Sequence, residues 1–152
     1  MSISVKDIKK LREKTGAGIA DSRKALEEAK GDLKKAEELV KSWGAKIASK
    51  KSDRAVGAGK IETYIHGEGK VGAMVEVACE TDFVARTDGF KNLAHEVVMQ
   101  VAAMDPKDVN ALLKQEYIRD SSKTIGTLVT ETIAKVGENI VIKKFVRFEL
   151  GS

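Results

Sequence analysis

Few side chains in this 152-residue sequence are of the types that make or break covalent bonds. The chain has one cysteine, Cys79, and two histidines, His66 and His95, and their spacing does not suggest metal ligation. An enzyme needs reactive groups that converge on one place, and such groups are scarce here. The sequence therefore predicts a protein that is not an enzyme, with no catalytic, metal-binding or cofactor-binding residues and no cofactor.

Two glycine-rich segments, GAGKI and GEGKV, could be taken for a loop that binds nucleotide phosphates. Such a loop has a glycine separated by four residues from its Gly-Lys pair, and a Ser or Thr after the pair whose hydroxyl binds Mg²⁺. The first segment has Arg54 and Ile61 at these two positions, and the second has Tyr64 and Val71. We therefore expect that the chain itself binds no nucleotide.

Charge is distributed unevenly along the chain. Residues 1–54 contain 15 Lys and Arg against 9 Asp and Glu, whereas the remainder contains 12 against 14. The basic part could bind nucleic acid or an acidic protein surface, or it could be a solvated lysine-rich face. No segment approaches the roughly 18 uncharged apolar residues of a membrane span, and the N-terminal residues pass directly into a charged helical pattern. We therefore expect a cytoplasmic protein without a membrane partner.

Three helices are predicted within residues 1–50, which we interpret as one N-terminal module. The first helix begins after a capping box at Ser4 and ends at Gly16, where the apolar periodicity stops. The second helix is short and runs from about Ile19 to Ala29. The third follows Asp32, a residue type that caps helices, and carries an apolar stripe along one side. Three amphipathic helices of this kind can enclose one small core.

Residues 51–59 lose the apolar periodicity and gather charged residues, Ser and Gly, so we predict a linker there. Residues 60–152 carry strand and helix patterns in turn. A hairpin, three helices and a last strand are predicted at Lys60–Ala78, at Asp88–Met104, from Asp105-Pro106 onward, at Ile125–Val136 and at Ile140–Leu150. Strands at both ends of a helical stretch indicate an α+β core with a three-stranded, mainly antiparallel sheet packed with helices.

Three stretches of the sequence resemble the translation elongation factor Ts family. They are LREKTGAGI from Leu11 with the following Asp21 and RKAL, EVACETDFVAR from Glu76, and AKVGENIV from Ala134 continued by FVRFEL from Phe145. The resemblance covers nearly the whole chain and indicates a short, single-core, bacterial-type form. Ala78 stands where the family commonly has Asn, and the segment between Met104 and Tyr117 is shorter than the family's helical insertion.

The resemblance implies a guanine nucleotide exchange factor for elongation factor Tu, which binds its GDP-bound and nucleotide-free partner, and a ubiquitin-associated-like fold for residues 1–50. Four residues are implied to enter the partner's G domain near its Mg²⁺ and phosphate loop: Thr81, Asp82, Phe83 and Val84. Phe83 would be the apolar wedge, oriented by Asp82. Three residues of the N-terminal module are implied to bind the same domain: Arg12, Ile19 and Ala20.

Other interpretations remain open at this point. Phe83 could plug the core beneath the hairpin, and Arg12 could be a solvated helix residue. A small RNA-binding protein would interleave aromatic residues with Arg, whereas residues 1–50 contain a single Trp and no Phe or Tyr. A ubiquitin-like-binding adaptor would leave the TDFV sequence unexplained. We therefore expect no direct nucleic-acid partner.

A symmetric homodimer is expected through the core domain, residues 60–152. The last strand has five apolar residues at positions that alternation places on one face: Ile140, Ile142, Val146, Phe148 and Leu150. Helices can cover one face of the sheet, and the other then needs a partner. Longer family members resemble this chain with a second core fused in line, which implies that a second chain supplies it here. The alternative is a monomer in which residues 105–119 cover the sheet.

Overall fold

The computed structural model describes residues 2–152, along which seven helices and five strands follow one another. Their bounds are α1 Val5–Thr15, α2 Ile19–Glu28, α3 Leu33–Lys51, β1 Ala58–His66, β2 Val71–Cys79, α4 Asp82–Ala85, α5 Asp88–Met104, α6 Val109–Lys114, β3 Glu116–Tyr117, β4 Asp120–Thr124, α7 Ile125–Val136 and β5 Ile140–Glu149. Three helices thus precede an antiparallel three-stranded sheet packed with helices, which confirms the predicted α+β class. No helix within residues 2–152 is long and apolar enough to cross a membrane.

The caps that the sequence predicts for α1 and α3 are present, and α2 runs from the predicted Ile19 to Glu28, one residue short of the predicted end. The Ser4 hydroxyl accepts from the Asp7 N–H at 3.1 Å, and the Asp32 carboxylate accepts from the Lys35 N–H at the same distance. Gly16 ends α1 in the left-handed conformation, with φ of 72°, which suits a residue without Cβ. The three helices enclose a small core of Leu11, Ala25, Leu26, Ala29 and Ala36, against which Trp43 packs.

Helix α3 belongs to two packing units. Its residues as far as Trp43 contribute to the N-terminal core, whereas Ala48, nearer its end, packs against the main core. Gly44 lies directly against α7, where an added Cβ would sit 3.5 Å from the Cβ of Ala134. The proposed division into residues 1–50, 51–59 and 60–152 stays a prediction, and the last two residues of its linker are part of β1.

The sheet has the strand order β1-β2-β5, and α5 lies across one of its faces. The pairing of β2 with β5 passes from Glu76 opposite Lys144 to Val77 opposite Ile142, so that Lys143 is an extra residue in β5. A bulge of this kind reverses which face the following side chains occupy. The prediction that five apolar residues of the last strand share one face is therefore wrong.

The bulge divides the apolar residues of β5 between the two faces. Before it, Ile140 and Ile142 are buried in the main core. After it, Phe145 packs against that core, while Val146 and Phe148 lie exposed on the opposite face, and Leu150 is exposed just after the strand. The outer face of the sheet therefore gains apolar residues near the end of the chain.

Helix α6 begins after Asp108 and not at Pro106, so the predicted start of this helix is wrong. Asp105 ends α5 in the left-handed conformation, with φ of 46°. The Asp108 carboxylate then accepts from the Ala111 N–H at 2.8 Å and caps the new helix. A side-chain acceptor for a free backbone N–H decides the helix start here, more than the fixed φ of proline.

A short hairpin, β3 and β4, was not apparent in the sequence pattern. It is fastened to α5 by the buried side chain of Gln100, which donates to the Glu116 carbonyl and accepts from the Ile118 N–H, both at 3.0 Å. Tyr117 of the hairpin is buried beside Glu96, and its burial, followed by the Glu96 carboxylate, raises the pKa of Tyr117 to about 12.

The raised pKa of Tyr117 predicts how stability falls at high pH. The folded state keeps the phenol proton between pH 10.0 and about 12, whereas the unfolded chain loses it. Stability from this group is therefore complete below pH 10.0 and declines above it, by at most about 1.4 kcal/mol per pH unit. We expect Tyr117→Phe to flatten this decline in urea unfolding measured across that range, with Tyr64→Phe as the control. Equal slopes for Tyr117→Phe and the unsubstituted protein would contradict the assignment.

Candidate functional site

The segment that follows β2 forms a single helical turn, α4. Its orientation is fixed by a hydrogen-bonded cap and by a side chain that is buried in the main core. Thr81 caps this turn, because its hydroxyl accepts from the Val84 N–H at 3.3 Å. Val84 is only 4% exposed and belongs to the main core. Phe83, by contrast, is 81% exposed, and Asp82 is exposed beside it. Phe83 therefore does not plug the core, and Val84 anchors the turn from beneath instead of facing solvent.

Thr81 is held by a carboxylate from a distant part of the chain. The Thr81 N–H donates to Glu138 Oε1 at 3.0 Å, and the Thr81 hydroxyl donates to Glu138 Oε2 at 2.7 Å. Hydrogen bonds to an ionised acceptor are stronger than neutral ones. Glu138 stood in the third stretch of family resemblance, but a contact across 57 residues has no local sequence signal.

Residues on either side of this contact tie the same region to the end of α3. The Asn139 N–H donates to the Glu80 carboxylate at 2.8 Å, and the buried Asn139 side chain donates to the Arg54 carbonyl at 2.9 Å. The Arg54 guanidinium lies 3.7 Å from the same Glu80 side chain. The turn that carries Phe83 and the segment after α3 are thus joined through Glu80 and Asn139.

Cys79, at the end of β2, has a structural position. Its side chain is fully buried, and its thiol donates to the Thr81 carbonyl at 3.2 Å. Burial, and next the negative charge of Glu138, raise the pKa of the Cys79 thiol, which keeps it protonated and weakly nucleophilic. Within residues 2–152, no three side chains of His, Cys, Asp or Glu are arranged to hold a metal ion.

Ala78 is buried in β2, opposite Gly59 of β1. The two strands approach closely at this point: Gly59 has φ of 144°, and an added Cβ would lie 2.2 Å from the Val77 carbonyl oxygen. Alanine has no polar side-chain atom, so Ala78 cannot position the following turn through a side-chain hydrogen bond. In this chain Glu138 and Glu80 hold that turn.

The three predicted residues of the N-terminal module meet at the junction of α1 and α2. Ile19 is 61% exposed at the start of α2, and Ala20 beside it is also exposed. The Arg12 guanidinium donates through Nε to the Ala17 carbonyl at 3.3 Å, which braces the loop between the two helices. Arg12 is therefore more than a solvated residue, and the junction presents Ile19 and Ala20 on its surface.

The outer face of the sheet carries exposed apolar residues. Five of them are at least 41% exposed: Ile61, Ile65, Met74, Val146 and Phe148. Leu150, directly after β5, is exposed as well. The strand register aligns Ile65, Gly72 and Phe148 in one row, and Met74 with Val146 in the next. Leu112 and Tyr117, from the segment that was considered as a cover for the sheet, are buried in the main core instead. That segment therefore does not cover the outer face.

Comparison with known proteins gives a consistent result. A family model described as Elongation factor TS matches residues 80–152. The chain is 42% identical over 194 residues to the Elongation factor Ts of Thermoanaerobacter sp. (strain X514), which covers 98% of this chain and 95% of the relative. It is 43% identical over 196 residues to the Elongation factor Ts of Coprothermobacter proteolyticus, which covers 99% of this chain and 100% of the relative. It is 41% identical over 197 residues to that of Herpetosiphon aurantiacus, which covers 100% of both chains. Each alignment is longer than the 152 residues of this chain, so the relatives contain residues that this chain lacks. This agrees with a short form of the family.

Proposed function

Because the chain belongs to the elongation factor Ts family, we propose that it is a guanine nucleotide exchange factor that promotes GDP release from elongation factor Tu during translation elongation. Family membership implies the exchange role, and the proposal adds a mechanism and a cytoplasmic location. Exchange requires no covalent step, in keeping with the scarcity of reactive side chains. The observation that carries the mechanism is the 81% exposure of Phe83 on a turn that is anchored from below.

In the proposed mechanism, α4 enters the partner's G domain near its Mg²⁺ and phosphate loop. Nucleotide affinity at such sites depends on a coordinated Mg²⁺ and on backbone N–H groups aimed at phosphate oxygens. Phe83 acts as the wedge and Asp82 orients it, while Thr81 and Val84 hold the turn in place. A displacement of about an ångström in the partner weakens several of these coupled contacts at once.

The energy required is at or above what one wedge residue supplies. A thousandfold acceleration of release asks for roughly 4 kcal/mol of binding energy that appears only in the distorted state. One buried aromatic residue at an interface supplies about 2 to 4 kcal/mol. We assign the remainder to a second contact with the G domain, made by Ile19 and Ala20 on the loop that Arg12 braces.

The proposal is tested by the release of a fluorescent GDP analogue from elongation factor Tu. We expect the release rate to rise with the concentration of this protein and then to saturate. An RNA-binding protein or a ubiquitin-like-binding adaptor would leave the rate unchanged, and that outcome would overturn the proposed function.

The second part of the proposal is a symmetric homodimer formed through the outer face of the sheet. An apolar face of this kind is costly to leave in water, and a two-fold interface buries it with one self-complementary surface. Because Phe148 and Leu150 are 73% and 78% exposed in the single chain, they have the most surface to bury in such an interface.

The dimer predicts a specific effect of a charge on this face. We expect light scattering at micromolar concentration to give about twice the 16.5 kDa mass of one chain. Phe148→Asp should reduce this to the mass of one chain. Dimerisation would bury the new carboxylate without its hydrating water, and burying an unpaired charge is costly. Val5→Asp is the matched control, since Val5 is 82% exposed but lies on α1. A single-chain mass for the unsubstituted protein at all concentrations would refute the dimer.

A further inference from the structure

We infer that Glu138 is a positioning residue for nucleotide exchange, which acts by fixing Thr81 and through it the orientation of Phe83. The inference rests on the proposed function, since it concerns how the wedge is held. It adds a residue that belongs to a different part of the chain, 57 residues after Thr81.

The hydrogen bonds of Thr81 make the cap of α4 depend on Glu138. The Thr81 hydroxyl has one proton, which it donates to Glu138 at 2.7 Å, so a lone pair is left to accept from the Val84 N–H. Glu138 thus fixes the rotamer in which Thr81 can cap the turn. A single helical turn has little intrinsic stability, so its orientation depends on such caps and on packing. Here the packing is supplied by Val84 and Ala85 beneath the turn.

Glu138 is itself held firmly. It follows Gly137, which ends α7 in the left-handed conformation with φ of 79°. It precedes Asn139, which is 4% exposed and bonded to Glu80 and to the Arg54 carbonyl. The carboxylate therefore projects from a fixed backbone position, as a residue that positions another must.

The expected consequence of losing this carboxylate is a turn that stays folded but holds Phe83 less accurately. Small misplacements of a contact group can cost up to about a hundredfold in rate. Since Val84 still anchors the turn, we expect Glu138→Ala to lower the maximum rate of stimulated GDP release by about tenfold. The concentration for half-maximal stimulation should change less than about twofold, because the N-terminal module still binds.

The experiment measures GDP release from elongation factor Tu against the concentration of each variant. Glu138→Gln keeps one oxygen for the Thr81 N–H and can donate to the Thr81 hydroxyl, so it should restore most of the maximum rate. Glu131→Ala is the matched control, because it removes a half-buried carboxylate of α7 that pairs with Lys123 at 2.9 Å. Should Glu138→Ala lose helix and strand content by circular dichroism, Thr81→Val, which removes the other partner of the 2.7 Å bond, replaces it.

Two further readouts separate positioning from general destabilisation. Hydrogen exchange of the Thr81 and Val84 amides should accelerate in Glu138→Ala, while amides of the sheet keep their protection. In a double-mutant cycle, Glu138→Ala should have almost no effect once Phe83 is replaced by Ala, since there is no wedge left to position. Additive effects of the two substitutions would overturn the inference.

The outcomes also distinguish this inference from the proposed function. If Phe83→Ala slows release but Glu138→Ala does not, the role of Glu138 is refuted and the exchange mechanism stands. If Phe83→Ala itself leaves release unchanged, the wedge mechanism fails, and the inference about Glu138 fails with it.

Discussion

Phe83→Ala is expected to lower the stimulated rate of GDP release by about a hundredfold, while binding to nucleotide-free elongation factor Tu weakens much less. The magnitude follows from the roughly 2 to 4 kcal/mol that one aromatic residue contributes when it is buried at an interface. The difference between rate and binding follows because the wedge acts on the strained, nucleotide-releasing state, whereas other contacts hold the complex. Fluorescent GDP release and calorimetric binding measure the two quantities separately.

The exposure of Phe83 makes this substitution a clean test. Since 81% of the residue is in contact with water, its removal creates no cavity, and the free energy of unfolding should change by less than about 0.5 kcal/mol. Val5→Ala is a suitable control, because Val5 is equally exposed but lies on α1. Near-normal exchange by a folded Phe83→Ala variant would exclude Phe83 as the wedge.

The parts of the fold that sequence predicted well are those governed by local chemistry. Ser4 and Asp32 cap helices, and Gly16 and Gly137 end them, because each satisfies or frees backbone groups within one turn. The strand pattern that predicted the hairpin likewise agrees with β2, in which Val75 and Val77 are fully buried. These signals involve only residues close together in the sequence, so these features can be predicted without knowledge of the tertiary contacts.

The wrong predictions concern features that depend on other segments of the chain. The extra residue Lys143 in β5 is visible only in the pairing with β2, and it moved Val146 and Phe148 to the outer face. The start of α6 was decided by the Asp108 carboxylate, which caps the new helix after Asp105 has ended α5 in the left-handed conformation. The β3-β4 hairpin depends on Gln100 of α5, which lies 16 residues before Glu116.

The candidate site shows the same division. The Thr-Asp pair before Phe83 is of a kind found in exposed turns, which agrees with the exposed aromatic side chain that follows it. The placement of Val84 in the core could not be predicted from these four residues alone. Successive side chains of a helix point about 100° apart, and which of them faces the core depends on how the turn packs. Glu138 was beyond the reach of sequence reasoning, because its contact with Thr81 depends on how α7 and β5 return to the end of β2.

Saturating GDP is expected to weaken the binding of this protein to elongation factor Tu by the same factor by which the protein weakens the binding of GDP. The equality is a thermodynamic requirement, since the two ligands complete one cycle with a single coupling free energy. If the protein lowers GDP affinity a thousandfold, the coupling is roughly 4 kcal/mol, and GDP must then displace the protein.

Calorimetric titration of nucleotide-free and of GDP-saturated elongation factor Tu with this protein measures one side of the cycle, and GDP titration of the free and bound partner measures the other. The wedge mechanism adds a stricter condition. Because Phe83 is assigned to the contact that conflicts with bound nucleotide, Phe83→Ala should reduce both factors together, whereas Val5→Ala should change neither.

An affinity for elongation factor Tu that is unaffected by saturating GDP would contradict exchange-factor action altogether. A coupling that survives Phe83→Ala unchanged would instead locate the conflict with nucleotide elsewhere on the surface, with the N-terminal junction at Ile19 as the next place to substitute.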